Sequence, residues 1–369
     1  MVKPQYRLRE LDFLRGIAII LVLFRHQYLF DFTQKMGWIG VDLFFVLSGF
    51  LVSGLLFKEY IKFGSIKPGL FLIRRGFKIY PVYYLFYLLY LTPILIKGNL
   101  NLTGFFSDMF FLQNYIWGWG YAYAPSWSLA VEEHFYFGFA MLMLFGIKKN
   151  IIHFDHQTNR FSKFEFIVLS IIVLCILMRI ITNLNSLGHI AGHITMTHLR
   201  VDSLLAGVMV SYWYHFKRGA FVNLMNANRR KLLVIAIALV SFAPFIEFTD
   251  SFFIKTVGFT FLYSAFSIVL AWFLTDSQIN STLDKFFSAM VVNFISKVGF
   301  ASYSIYIIHT FVNYIAGLGI SIILKITVPP MILFLVTSSV SIFLGMLMTN
   351  HIERFFLNLR DKHYPARTS

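Results

Sequence analysis

Ten apolar segments of about twenty residues recur along the chain and limit what it can fold into. A segment of this length spans the hydrocarbon core of a bilayer as a helix. The 369 residues are 58% hydrophobic and 13% charged, which leaves too little polar surface for a water-soluble fold. We therefore predict an all-α, polytopic membrane protein with about ten transmembrane helices. The segments are 12–30, 37–57, 80–96, 126–147, 165–182, 200–216, 231–247, 256–274, 298–321 and 329–348.

The net charge of +15 would suit a nucleic-acid-binding protein, but the distribution of the basic residues favours a membrane topology instead. If the first residue is cytoplasmic, 24 of the 32 Lys and Arg residues fall in inside segments, and six lie in outside loops or within four residues of them. This asymmetry follows the positive-inside rule. It predicts cytoplasmic termini, with Lys67 and Arg229 inside and Asn101 and Asn183 outside, and no nucleic-acid partner.

No low-complexity segment or long linker divides the chain, so residues 1–369 are expected to form one membrane domain. The first apolar run lacks a small-residue cleavage site and is expected to remain as a helix. The single cysteine, Cys175, lies in an apolar run and excludes an intrachain disulfide.

The first apolar segment contains LRGIAIILVLFRH and therefore carries ionisable groups into the membrane. Charged side chains at this depth usually face a cavity or a substrate pathway. Arg15 and His26 are eleven residues apart, which places them on one stripe of a helix with a rise of about 16 Å between them. Arg25 points about 100° away and is expected to reach the outer headgroups.

Two other segments bring carboxylates to a depth similar to that of His26. Asp42 lies in GVDLFFVLSGF, and Glu132 and Glu133 lie in SWSLAVEEHFYF. A carboxylate that binds one imidazole nitrogen fixes the tautomer and lets the ring act as a general base. His26, Glu132 and Glu133 are thus the candidate catalytic residues, and the choice between the glutamates stays open. The alternative is that these groups only join helices by hydrogen bonds.

A cationic cluster begins the third segment, where Arg74, Arg75 and Lys78 precede Pro81. Together with Arg15 it could bind a phosphorylated cytosolic substrate, because guanidinium groups match phosphate oxygens. The alternative is a topology signal that contacts lipid headgroups.

Aromatic residues crowd the outside loop QNYIWGWGYAYAPSW. Trp117, Trp119 and Trp127 are candidates for stacking on the sugar rings of an acceptor. They could equally form an interfacial aromatic belt.

Histidines 189, 193 and 198 lie close together in the sequence but do not predict a metal site. No cysteine accompanies them and the HExxH pattern is absent. Phosphate-binding and nucleophile-elbow motifs are absent as well.

Six segments, in this order, resemble the acyltransferase 3 family of bacterial membrane O-acyltransferases. They are LDFLRGIAIILVLFRH, GVDLFFVLSGFLVS, RRGFKIYPVYYL, SWSLAVEEHFYF, RVDSLLAG and SYSIYIIHTFV. The resemblance implies a core of about ten helices in the bacterial cytoplasmic membrane. It also implies transfer of an acyl group, commonly acetyl from acetyl-CoA, to a hydroxyl of a cell-envelope or exported carbohydrate. Acetyl-CoA is then a substrate, and no bound cofactor is expected.

The resemblance also marks residues. It implies function for Arg15, His26, Arg74, Arg75, Glu132 and Glu133, and more weakly for Arg200, Asp202, Tyr306 and His309, with Asp42 as a further candidate from its depth. Lys78 stands where the family often has arginine, which keeps the charge but loses the two-pronged geometry. Phe355 stands where proline is frequent. No room is expected for the extra extracytoplasmic domain that some relatives carry.

The expected mechanism places the CoA phosphates at Arg15, Arg74, Arg75 and Lys78, with the acyl arm along the Arg15–His26 stripe. His26, oriented by Glu132 or Glu133, would then deprotonate the hydroxyl of a lipopolysaccharide, exopolysaccharide or other glycan. The rival interpretation is a proton-coupled transporter or a flippase of lipid-linked glycans that uses the same charges.

Overall fold

Helices make up nearly all of the chain that the computed structural model describes, namely residues 8–151, 161–185, 192–247, 249, 251–320 and 328–367. No β-strand occurs among these residues, which confirms the all-α prediction. The helices are α1 (Arg9–His26), α2 (Asp31–Gly37), α3 (Ile39–Phe63), α4 (Pro68–Ile96), α5 (Leu102–Met109), α6 (Gln113–Ile116), α7 (Trp127–Lys148), α8 (Lys163–Leu184), α9 (Gly192–Thr195), α10 (Val201–Phe216), α11 (Arg218–Val240), α12 (Phe259–Thr275), α13 (Ile279–Phe287), α14 (Ala289–Phe300), α15 (Ser302–Leu318), α16 (Pro330–Met348) and α17 (Arg354–His363).

Within the described residues, six helical stretches are long and apolar enough to cross a bilayer, and a seventh arises if the bent pair α14–α15 forms one span. Each of the ten predicted apolar segments overlaps a helix, although 298–321 includes the bend between α14 and α15 and 231–247 extends past the end of α11. However, α1 carries charges at both ends, α10 has only 16 residues, and α11 is polar over its first half. The polytopic architecture is confirmed, while the count of ten spans and the cytoplasmic termini stay predictions.

Helix α3 lies at the centre of the bundle and packs against α1, α7, α10 and α12. Its contact with α10 depends on two reciprocal glycines. A Cβ at Gly49 would collide with the Leu204 carbonyl oxygen, and one at Gly207 would collide with the Val46 carbonyl oxygen. Small residues at such a crossing let two membrane helices approach to backbone contact. The crossing brings the beginnings of α3 and α10 together.

Helix α1 is held between two partners. On one side it packs against α3, and on the other its Gly16 meets Gly299 of α14 in a second close crossing. After α14 the chain bends by 79° into α15, which packs against α16, α1 and α4. The bend directs α15 toward the end of α1 that carries His26.

The connection between α4 and α7 folds back on the bundle and is organised by the buried carboxylate of Asp108. This side chain accepts hydrogen bonds from the backbone N–H groups of Tyr121 and Ala122, both at 2.9 Å, and from the hydroxyl of Tyr87 at 2.9 Å. Burial raises the pKa of the Asp108 carboxyl, and the three hydrogen bonds oppose that rise. The loop that carries the predicted aromatic residues is therefore an ordered structure.

Candidate active site

A cationic cavity of about 340 Å³ lies between α1, α3, α4 and the final helix α17. All four predicted donor-binding residues line it: Arg15, Arg74, Arg75 and Lys78. Two further cations, Arg360 and Arg367, also line it although sequence reasoning did not single them out. Glu59 is the only carboxylate among the described lining residues. The cavity is thus suited to a ligand with several negative charges.

The cations of this cavity differ in their partners. Lys78 binds Glu353 at 2.7 Å, and Arg74 binds Asp361 at 2.9 Å and donates to the Tyr364 carbonyl oxygen. Among the described residues, Arg15 and Arg75 make no ion pair within 4 Å. Their guanidinium groups therefore have donors left for a ligand.

A central cavity continues from the cationic cavity into the bundle. The two share Arg15, Arg75, Lys78 and Leu51 in their walls. Farther in, the central cavity is lined by Glu132, Ser128 and Tyr306. Tyr306 lies at the end of the central cavity that is far from the cationic cavity. The Tyr306 hydroxyl hydrogen-bonds the Ser128 hydroxyl at 2.7 Å and donates to the Pro125 carbonyl oxygen at 2.9 Å.

An outer cavity of about 360 Å³ begins on the other side of Tyr306. Tyr306 and Val41 belong to the walls of both the central and the outer cavity, so they form the boundary between them. His26 lines the outer cavity, together with Arg25, Asp42 and Arg200. The cationic, central and outer cavities therefore follow one another from Arg15 to His26, which lie toward opposite ends of α1.

His26 is exposed at the end of α1, and its ring contacts the ring of a second histidine, His309. The rings of His26 and His309 are 4.8 Å apart between centroids and meet edge to face. The Nδ1 of His309 lies 2.7 Å from the Tyr306 carbonyl oxygen, which can only accept, so Nδ1 carries the proton. The Nε2 of His309 is buried without a hydrogen bond among the described residues and keeps its lone pair.

The predicted pairing of His26 with Glu132 or Glu133 does not form. Glu132 accepts hydrogen bonds from Ser48 at 2.8 Å and Tyr136 at 2.5 Å, and it lies in the central cavity. Glu133 accepts from Tyr80 at 2.7 Å. The reason is the helix packing, since α7 packs against α3 and α4, whereas α1 packs against α3, α14 and α15.

Asp42, Arg200 and Asp202 belong to a buried ionic network beneath the outer cavity. Arg200 binds Asp42 at 2.6 Å and lies over the Phe259 ring at 3.8 Å. Asp202 is bound by Arg179 at 2.8 Å, with both side chains fully buried. Arg179 is not among the residues predicted from the sequence, although its charge inside an apolar segment is the same signal that identified Arg15.

Arg25, which was expected to reach the outer headgroups, binds Glu247 at 2.9 Å and lines the outer cavity. Glu247 was not predicted because it lies 222 positions away in the sequence.

The three tryptophans of the outside loop have different environments. Trp119 and Trp127 line the outer cavity and pack edge to face at 6.0 Å. Trp117 is exposed and packs against Tyr121 instead. Trp119 and Trp127 therefore lie at the outer cavity and Trp117 lies outside it, and their stacking on sugar rings stays a prediction.

A side cavity reaches His26 from a second direction, between α4 and α15. Its wall contains four aromatic residues, Tyr90, Tyr123, Phe311 and Tyr314, and near its rim Lys97. His26, Ala124 and Pro125 line both the side cavity and the outer cavity. His26 thus stands where two cavities meet.

The histidines weighed as metal ligands have hydrogen-bonding partners. His193 Nδ1 lies 2.9 Å from Asn183 Oδ1, and His198 Nδ1 lies 3.1 Å from the Tyr115 hydroxyl. His189 lies outside the described residues. Among the residues that are described, no three His, Cys, Asp or Glu side chains are grouped to hold a metal ion.

The chain matches a family model described as an acyltransferase domain over residues 8–350. It belongs to the acyltransferase 3 family. The match begins before α1 and ends within the π-helical turn Thr349–Glu353 that precedes α17. All predicted site residues of this acyltransferase 3 domain fall inside the match, whereas Arg360 and Arg367 lie beyond it.

Curated relatives carry O-acetyltransferase names. A Staphylococcus aureus protein named "Putative O-acetyltransferase" is 28% identical over 323 residues, which cover 81% of this chain and 49% of the relative. The peptidoglycan O-acetyltransferase of Listeria monocytogenes is 40% identical over 76 residues, or 20% of this chain and 12% of the relative. The chain thus spans about half the length of the Staphylococcus relatives it matches. No solved structure matches it.

Proposed function

We propose that this acyltransferase 3 protein transfers an acetyl group from cytoplasmic acetyl-CoA to a hydroxyl of a cell-envelope or exported carbohydrate. The observation that carries the proposal is the series of cavities from the cation cluster at Arg15 to His26. Its cationic end suits a polyanion, and its other end holds an exposed imidazole. The O-acetyltransferase names of the relatives support the same reaction.

The donor is proposed to bind with its phosphates in the cationic cavity. Arg15 and Arg75 would bind the phosphate oxygens directly, with Arg74 and Lys78 beside them. The acyl arm would extend along α1 through the central cavity and pass between Val41 and Tyr306 to His26. The rise of about 16 Å between Arg15 and His26 is the distance this flexible arm has to bridge.

The chemistry at the outer end requires one base and no bound cofactor. Neutral His26 would take the proton from the carbohydrate hydroxyl while the hydroxyl oxygen attacks the thioester carbonyl carbon. The new C–O ester bond would form, the C–S bond would break, and the His26 proton would pass to the CoA sulfur. Glu132 and Glu133 would act through Ser48 of α3 and Tyr80 of α4 to hold α7 against these two helices.

The acceptor is proposed to approach from the side cavity, because the donor arm would occupy the central and outer cavities. Phe311 and Tyr314 offer aromatic surface for sugar rings there, beside the stacked pair of Tyr90 and Tyr123. Peptidoglycan is the acceptor named for the Listeria relative, and a glycan at the outer face of the cytoplasmic membrane is the class proposed here.

The decisive experiment measures acetyl transfer from labelled acetyl-CoA to a glycan acceptor by the purified, reconstituted protein. His26→Gln keeps a hydrogen-bonding side chain but cannot accept a proton, so we expect transfer to fall by about 10²–10⁴-fold. Asn313→Ala is a matched control, because the Asn313 side chain donates its hydrogen bond to the His26 backbone carbonyl oxygen, at 3.1 Å, and not to the imidazole.

Binding of CoA should be unchanged in the His26→Gln protein, since His26 lies far from the cationic cavity. Near-normal transfer by this folded variant would end the proposal that His26 is the base. Absence of any transfer or acetyl-CoA hydrolysis by the unaltered protein would instead favour a transporter.

A further inference from the structure

The chain segment 354–367, here called the strap, crosses the mouth of the cationic cavity. It begins with α17 and returns across the ends of α3 and α4. Arg74 of α4 holds Asp361 at 2.9 Å, and the Tyr364 ring packs against Phe77 at 5.6 Å. At the far end of the strap, Arg367 binds Glu59 of α3 at 3.0 Å.

The strap also adds charge to the cavity. Arg360 and Arg367 line its wall, together with Leu357 and Ala366 of the same segment. Both arginines are partly shielded from solvent, with 16% and 26% of their side-chain surface exposed. Arg367 lies over the Phe63 ring at 4.2 Å, which fixes its guanidinium at the rim. Basic residues that served only as a topology signal would not need this placement.

We propose that Arg360 and Arg367 are binding residues for the phosphate groups of a CoA-type donor. This inference rests on the proposed function, and it assigns part of the donor site to a segment beyond the residues that match the family model. Arg360, which pairs with the adjacent Asp361 at 2.9 Å, and Arg367 line the same cavity as Arg15 and Arg75, so a donor with several phosphates would meet cations from the strap as well as from α1 and α4.

The carboxylate partners of the strap give the proposal its sharpest test. Glu59 forms an ion pair with Arg367 and also accepts a hydrogen bond from the Lys67 backbone N–H at 3.0 Å. If Arg367 binds phosphate, Glu59 competes with the ligand for the same guanidinium. Glu59→Gln keeps an oxygen for the backbone N–H and removes the competing charge, so it should strengthen CoA binding. If the ion pair were only structural, Glu59→Gln and Arg367→Ala should change CoA binding in the same direction.

The experiment titrates CoA, by calorimetry, into the purified full chain in nanodiscs of neutral phosphatidylcholine. We expect Arg360→Ala and Arg367→Ala each to raise the Kd for CoA severalfold, less than Arg75→Ala because both arginines already have carboxylate partners, and Glu59→Gln to lower it. Lys362→Ala is the matched control, because Lys362 lies in the same segment, carries the same charge and is exposed away from the cavity. Its Kd should equal that of the unaltered protein.

Three results would overturn the inference. Folded Arg360→Ala and Arg367→Ala proteins that bind CoA as well as the Lys362→Ala protein would show that the strap is only a cover. An effect that appears only in nanodiscs with anionic lipid would assign the strap to lipid headgroups. Failure of the unaltered protein to bind CoA would overturn the proposed donor together with the strap, whereas the first two results leave the proposed function intact.

Discussion

At the residue scale, the His26–His309 contact changes which side chain is expected to support catalysis. His309 is fully buried and fixed by its hydrogen bond to the Tyr306 carbonyl oxygen, and its ring meets His26 at 4.8 Å. A histidine held in one tautomer can orient a neighbouring imidazole through its free nitrogen. His309 is therefore a candidate positioning residue for His26.

Two isosteric variants of His309 separate this role from a structural one. His309→Gln can place a polar atom near the Nε2 position, whereas His309→Asn retains only the Nδ1 position. If His309 Nε2 accepts a hydrogen bond from the His26 ring during transfer, kcat should fall about tenfold in the Asn variant, since that bond is worth about 1.5 kcal/mol, and less in the Gln variant. The KM for acetyl-CoA should not change. The reverse ranking would mean that only the bond to Tyr306 matters.

The cations of the donor site should also differ in importance. Arg75 lacks an ion-pair partner among the described residues, whereas Arg74 is occupied by Asp361 and the Tyr364 carbonyl oxygen. Arg75→Ala should therefore weaken CoA binding by on the order of tenfold or more, the effect of losing a charge-assisted hydrogen bond. Arg74→Ala should weaken it less. Equilibrium binding checks the order, and equal losses in two folded variants would contradict it.

The residues themselves were largely predictable, but their partners were not. A charge inside an apolar segment is visible in the sequence, and that rule identified Arg15, His26 and Asp42. Which groups meet depends on how the helices pack, so His26 was paired with a glutamate on α7 instead of with His309 on α15. Arg179 was predictable by the same rule and was not singled out.

At the scale of the helices, the crossing of α3 and α10 sets the geometry beneath the outer cavity. Gly49 and Gly207 permit the backbone contact that aligns Asp42 with Arg200. The apolar segments were visible in the sequence because length and composition define them. The crossing was not, because glycines occur in many membrane helices and only the contact of two backbones distinguishes these two.

A methyl group should be enough to disturb this crossing. Gly207→Ala would force α10 away from the Val46 carbonyl oxygen, so we expect a lower unfolding temperature in detergent and reduced transfer. Gly138→Ala on α7 is the matched control, since a Cβ there meets no atom within 4 Å. Equal unfolding temperatures for the two variants would contradict the close contact.

At the scale of the whole molecule, the two ends of the cavity series are formed by residues that the predicted topology places on opposite sides of the membrane. Residues predicted to lie inside gather at the cationic cavity, and residues from the predicted outer ends gather around His26. Counting charges could predict which ends of the helices carry the cations. It could not predict that the two strap arginines line the cavity, because the positive-inside rule does not distinguish one inside cation from another.

Cysteine accessibility in intact cells checks the orientation. On a Cys175→Ser background, Lys67→Cys should be protected from an impermeant thiol reagent and Asn101→Cys should react with it, since both positions are exposed and are predicted to face opposite sides. Arg229→Cys and Asn183→Cys are expected to follow Lys67 and Asn101. External labelling at position 67 would reverse the topology and with it the side of the donor.

The boundary at Tyr306 has an electrical consequence. A bacterial membrane sustains a voltage, and each elementary charge that crosses 100 mV releases about 2.3 kcal/mol. Cavities that enter from both faces would short-circuit this voltage if water filled them continuously. The Tyr306 hydroxyl, bound to Ser128 and the Pro125 carbonyl oxygen, stands where such a column would have to pass. Under the proposed function, the same tyrosine would serve as an insulator that lets a thioester arm through while ions stay on their own side.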